Sequence, residues 1–128
     1  GKGEIVFNLG QWNAVKFSMC VCDFWATLSM ETMAEIMTLV TGKEWTVDRI
    51  AETGTRVLNI ARAFNQREGF SAKDDKVPRR LFDEALENGP AAGQKIPEEA
   101  FEDMKQQYYA VMGWDSEGRL PQSLIDTL

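Results

Sequence analysis

Apolar positions recur at three- and four-residue steps along most of the chain. Val47, Ile50, Gly54, Val57, Leu58, Ala61 and Phe64 share one stripe of a helix that starts after Thr46 and runs to about Glu68. Thr46 suits the N-cap, and Asp48 puts a negative charge in the first turn, where the helix dipole favours it. The same pattern predicts a helix from Met30 to Val40, capped by Ser29 and stopped at Gly42, with Met30, Met33, Ile36, Met37 and Val40 inward. An earlier helix is expected from Gly10 to about Met19. Another starts near Pro78, carries Leu81, Phe82, Ala85 and Leu86, and breaks at Asn88-Gly89-Pro90. Pro97 opens a fifth, with Phe101, Met104, Tyr108, Val111 and Met112 inward, while Glu98, Glu99, Glu102 and Asp103 form an acidic, solvated start. Pro121 opens a last turn or two, and only Glu4 to Asn8 reads as a strand. The predicted class is all-α, an irregular multi-helix domain of about five or six helices with short loops, over residues 1–128.

Composition narrows the partners. A chain of 128 residues, 44% hydrophobic and 27% charged, can bury a single core. Its net charge of -6 argues against a nucleic-acid face, which needs clustered Lys and Arg. Arg79 and Arg80, the only adjacent arginines, sit among Asp74, Asp75, Asp83 and Glu84. The longest apolar run, Phe17 to Cys22 with Ser18 inside it, is far short of a bilayer span. Gly1-Lys2-Gly3-Glu4 carries no signal-peptide pattern and reads as a cut or processed end.

Cys20 and Cys22 are too close in sequence for an unstrained mutual disulfide, so a reducing compartment, the cytoplasm, is expected. Histidine is absent, which removes the commonest general base and zinc ligand and leaves no Ser/His or Cys/His mechanism. By spacing alone, the two cysteines read as buried packing residues or as soft ligands to an iron-sulfur cluster. A Cys20/Cys22 redox sensor is a weaker reading, because only Lys16 lies nearby to stabilise a thiolate. Met19, Met30, Met33, Met37 and Trp25 could line a channel, although their spacing suits core packing equally.

Past the long helix the periodicity stops at Asn65-Gln66-Arg67-Glu68-Gly69-Phe70, followed by the Asp74-Asp75 pair and, later, Met112-Gly113-Trp114-Asp115. With Phe17 to Phe24, these elements in this order resemble the C-terminal domain of the tungsten-containing aldehyde:ferredoxin oxidoreductases, from about Trp12 to Leu128. That family carries D-x-x-G-L/V-C-x-F, whose Cys is the fourth ligand of an Fe4S4 cluster and whose preceding backbone touches a pterin of the tungsten bis-pterin cofactor. The resemblance therefore implies Cys22 as metal ligand, Val21 and Cys22 as cofactor-binding residues, and Phe24 as the closing aromatic. Phe17 stands where the family usually has Asp, and Cys20 where it usually has Gly, so the pterin hydrogen bond of that Asp is not carried over.

The resemblance implies no catalytic residue in this chain. Aldehyde oxidation to carboxylic acid, with ferredoxin as acceptor, would belong to a parent protein holding the other three cysteines and the pterin-binding domain. The chain alone is expected to bind no cofactor and to be inert. Its expected partners are the remaining domains of that parent, or a second copy meeting it through an exposed apolar face; neither nucleic acid nor membrane is expected. Two alternatives stand beside this: the equivalent domain of a benzoyl-CoA reductase-type active-site subunit, and a cofactor-free helical interaction module. Arg67 and Glu68 could face cofactor groups or satisfy the helix end and a neighbouring loop. Asp74 and Asp75 could be an acid-base or magnesium pair, or a solvated capping loop.

Overall fold

The computed structural model describes residues 1–128 as six helices with no strand: α1 (Lys2–Ser18), α2 (Met30–Thr41), α3 (Val47–Arg67), α4 (Arg80–Asp83), α5 (Glu98–Met112) and α6 (Gln122–Ile125). The all-α class therefore holds. No helix is long and apolar enough to cross a membrane.

Central in the packing is α1, which lies against both α3 and α5. Two glycines set those approaches. A Cβ on Gly54 would lie 2.5 Å from the Gln11 carbonyl oxygen, and one on Gly3 would lie 2.6 Å from Gln107 Cβ and 2.7 Å from the Tyr108 nitrogen. Only glycine lets the backbones come that close. Where α1 crosses α3, Gln11 is buried and its amide nitrogen donates to Thr55 Oγ1 at 2.6 Å and to the Ala51 carbonyl at 3.2 Å. Val15, Leu28, Met33, Ala34 and Ile50 form the apolar core between α1, α2 and α3, with Met19, Val21, Met30, Met37 and Trp45 packed against it. The methionines thus pack the core, while Trp25 stays outside it, half exposed.

The predicted caps are present. Ser29 accepts the Thr32 N–H and Thr46 the Arg49 N–H, both at 3.2 Å, and Gly42 closes α2 in the left-handed region.

Several expectations fail. Glu4 to Asn8 is not a strand, and α1 begins at Lys2 rather than Gly10. The Ile5-Val6-Phe7 run has β propensity, but packing of Gly3 on α5 and Gln11 on α3 gives one continuous helix a lower free energy than the local preference can offset. The fourth helix ends at Asp83 because Phe82 alone in it is buried, against Phe101. Beyond it the backbone pairs with itself instead, Leu86 N–H to the Gln94 carbonyl at 2.9 Å and Gly93 N–H to the Leu86 carbonyl at 2.8 Å. Val40, Ala61, Phe64 and Val111, expected inside, are exposed, and Val47 marginally so. On α3 the buried places of the later turns belong to Asn59 and Arg62.

Candidate functional site

The loop after α1 carries both cysteines. Its entry is a Schellman closure: Cys20 N–H donates to the Phe17 carbonyl at 3.0 Å, and Val21 N–H to the Lys16 carbonyl at 3.1 Å. Such a closure needs a left-handed residue, and Cys20, at φ 58°, is the one non-glycine residue of positive φ in the chain. This position is the glycine place of the resembled motif. A Cβ there costs roughly 1–2 kcal/mol.

Both thiols are free and exposed, which overturns the reading of two buried packing cysteines. The left-handed turn swings them off the core face, and the core is filled instead by Met19, Val21 and Leu28. Val21 turns its side chain toward that core while its N–H closes the helix.

The chain behind Cys22 is pinned by Lys16, which by sequence alone is no more than a nearby charge for a thiolate. Lys16 is 1% exposed, and its ammonium donates to the Asp23 carbonyl at 2.8 Å and to Asp23 Oδ1 at 3.0 Å. It lies 4.0 Å from the centroid of the Trp12 ring, and the Trp12 indole N–H donates to the Leu28 carbonyl at the far end of the loop. The available signal was an aromatic four residues ahead of a lysine inside an apolar stretch, a spacing that stacks the two on a helix. Between these anchors Trp25 N–H donates to the Cys22 carbonyl at 3.1 Å. Phe17 and Trp25 are about half exposed and Phe24 is 94% exposed, an apolar rim around two thiols.

A second constellation joins the other motifs of the sequence. Arg62 is buried, and its guanidinium meets Asp75 through Nη1–Oδ1 at 2.8 Å and Nη2–Oδ2 at 2.7 Å, while Nε donates to the Gly118 carbonyl at 2.9 Å. The Tyr109 hydroxyl donates to Asp75 Oδ2 at 2.5 Å, and the Trp114 indole donates to the buried Asn59 at 2.8 Å. Burial pushes the Asp75 carboxyl up, but hydrogen bonds from Arg62 and Tyr109 and the charges of Arg62 and Lys105 outweigh it and hold the group below the usual carboxylate range. Tyr109 is pushed well above the usual phenol range, by burial first and then by the Asp75 carboxylate.

Asp75 is thus a structural anchor and not part of a solvated capping loop. Asp74 does cap its turn, accepting the Ser71 N–H at 2.9 Å. Arg67 and Glu68 pair with each other on the surface at 3.0 Å. Asp115 accepts the N–H groups of Glu117 and Arg119, so the Met112 to Asp115 motif shapes a turn. Beside Asp75 opens a cavity of about 560 Å³, lined in part by Val6, Leu58, Met104 and Tyr108, that shares no residue with the cysteine loop. No group of three or more His, Cys, Asp or Glu side chains is placed to hold a metal ion.

These features define a helical domain that presents a soft donor at one apolar edge and holds its other motifs as internal braces. Over residues 1–128 the sequence matches the family described as aldehyde ferredoxin oxidoreductase, domains 2 and 3, and the chain belongs to that family. It is similar to the tungsten-containing aldehyde ferredoxin oxidoreductases of Pyrococcus furiosus, Pyrococcus horikoshii and Thermococcus kodakarensis, at 26% identity over 102 residues in each case. The matched stretch is 79% of this chain and 16% of each relative's length.

Proposed function

We propose that this chain forms one wall of the redox site of a larger tungsten-containing aldehyde:ferredoxin oxidoreductase-like protein, with the Cys22 thiolate as one ligand of an Fe4S4 cluster. The observation that carries the reading is the free, exposed Cys22 thiol on a loop tied to the core, next to an almost fully exposed Phe24. The donor chemistry fits: a cluster takes soft thiolates in a sheltered setting, and this chain offers one thiol beside exposed apolar side chains that a covering domain would shelter. Such a cluster, when bound, supplies one-electron transfer.

The chain's own residues hold and shelter that corner. Cys22 presents the thiolate, Val21 contributes main chain to the pterin side, and Phe17, Phe24 and Trp25 exclude water once a neighbouring domain covers them. Aldehyde oxidation with ferredoxin as acceptor, in the cytoplasm, is proposed for the whole protein. Residues 1–128 by themselves are proposed to be inert, since the remaining ligands and the acid-base groups would lie in other domains.

The test is Cys22→Ala in the full-length protein, followed by iron and tungsten content and the visible spectrum. Loss of the cluster absorption is expected. The apolar face of α1, where Ile5, Val6 and Leu9 are exposed, favours a second reading as a cofactor-free interaction module, and an unchanged spectrum and metal content would support it.

A further inference from the structure

We infer that Lys16 is the positioning residue of the Cys22 thiolate, holding the backbone on both sides of it. This rests on the reading of Cys22 as a cluster ligand. The Lys16 carbonyl accepts the Val21 N–H at 3.1 Å, and its ammonium donates to the Asp23 carbonyl at 2.8 Å. The residues immediately before and after Cys22 are thereby tied to one side chain and its own main chain.

The burial of that side chain needs an explanation. A lysine at 1% exposure loses its hydration, and its carboxylate partner Asp23 is 68% exposed, so the ion pair compensates only in part. The remaining partners are the Asp23 carbonyl in the loop and the Trp12 ring face one turn back on α1. An apolar residue would fill the same space without that desolvation, and what it would lack is the grip on residue 23. Ligand loops held in this way keep their metal more tightly. A positive charge fixed beside the loop also favours the reduced, more negative state of a cluster.

The experiment uses the full-length protein with Lys16→Met, Asp23→Asn and Cys22→Ala beside the unaltered form. It reads iron loss to a chelator and the midpoint potential of the cluster. For Lys16→Met we expect iron loss faster by about 10- to 100-fold and a lowered potential. Asp23→Asn keeps the carbonyl contact and removes a negative charge from an exposed position, so iron retention holds and the potential rises. Unchanged iron loss and potential in Lys16→Met, with the cluster lost in Cys22→Ala, overturn the positioning role alone. Retention of the cluster in Cys22→Ala overturns both readings. Should Lys16→Met fail to fold, Lys16→Arg decides, since it keeps the positive charge but not the same fit to the Asp23 carbonyl: faster iron loss at a near-unchanged potential supports the inference, and unchanged iron loss overturns it.

Discussion

Arg62 on α3 grips Asp75 through two guanidinium nitrogens, and this one pair ties the long helix to the loop that follows it. Tyr109 of α5 joins the same carboxylate, so three separate segments depend on one ionised group. Asp75→Ala leaves the buried Arg62 without its partner and is expected to cost on the order of 3 kcal/mol, at the low end for a buried pair because Asp75 is partly exposed. Chemical denaturation at neutral pH measures it.

The same pair predicts an acid limb. Asp75 titrates below its unfolded value, so the stability it contributes is present above about pH 4 and is lost as pH falls through the depressed folded value. Asp75→Asn should flatten that part of the stability profile. An equally steep loss in the variant would assign the limb to other carboxylates.

At the alkaline end Tyr109 acts with the opposite sign. Its folded value is raised, so its contribution is complete below about pH 10 and declines as pH rises above that. Both tyrosines are expected to ionise late in a phenolate absorbance titration, Tyr108 because of its burial and Tyr109 the later of the two, and Tyr109→Phe should remove the later step at a cost of about 1 kcal/mol.

Gly54→Ala places a methyl 2.5 Å from the Gln11 carbonyl oxygen, where both partners are helix backbone and cannot rotate away. The expected loss is about 1–3 kcal/mol or more, read as a lower denaturant midpoint, despite the better helix propensity of alanine. A neutral result would mean that α1 and α3 stand further apart.

Cys20→Gly should raise stability by on the order of 1 kcal/mol, because glycine adopts the left-handed conformation without a Cβ penalty. Cys20→Ala keeps the Cβ and should not reproduce the gain. Comparing the two separates backbone relief from loss of the thiol.

Much of the framework was legible in the residues because its causes are local. Ser29, Thr46 and Gly42 act on backbone groups within a turn of themselves, so α2 and the start of α3 could be read directly. The start of α1 could not. Ile5 and Val6 favour extended chain locally, and the packing of Gly3 on α5 and Gln11 on α3 makes that segment helical. Arg62 and Lys16 look like surface cations in a linear reading. Their partners Asp75 and Asp23 become partners only when loops fold back over the helices.

The sequence by itself determined the helical class, most of the helix caps and the order of motifs that places the chain in its family, because periodicity, capping chemistry and motif spacing are properties of neighbours along the chain. Tertiary structure decided that Asp75 is a brace, that the cysteines face outward, and that a buried lysine holds the loop between them and the core. Those outcomes depend on which distant groups share a low-dielectric interior, and no linear spacing encodes that.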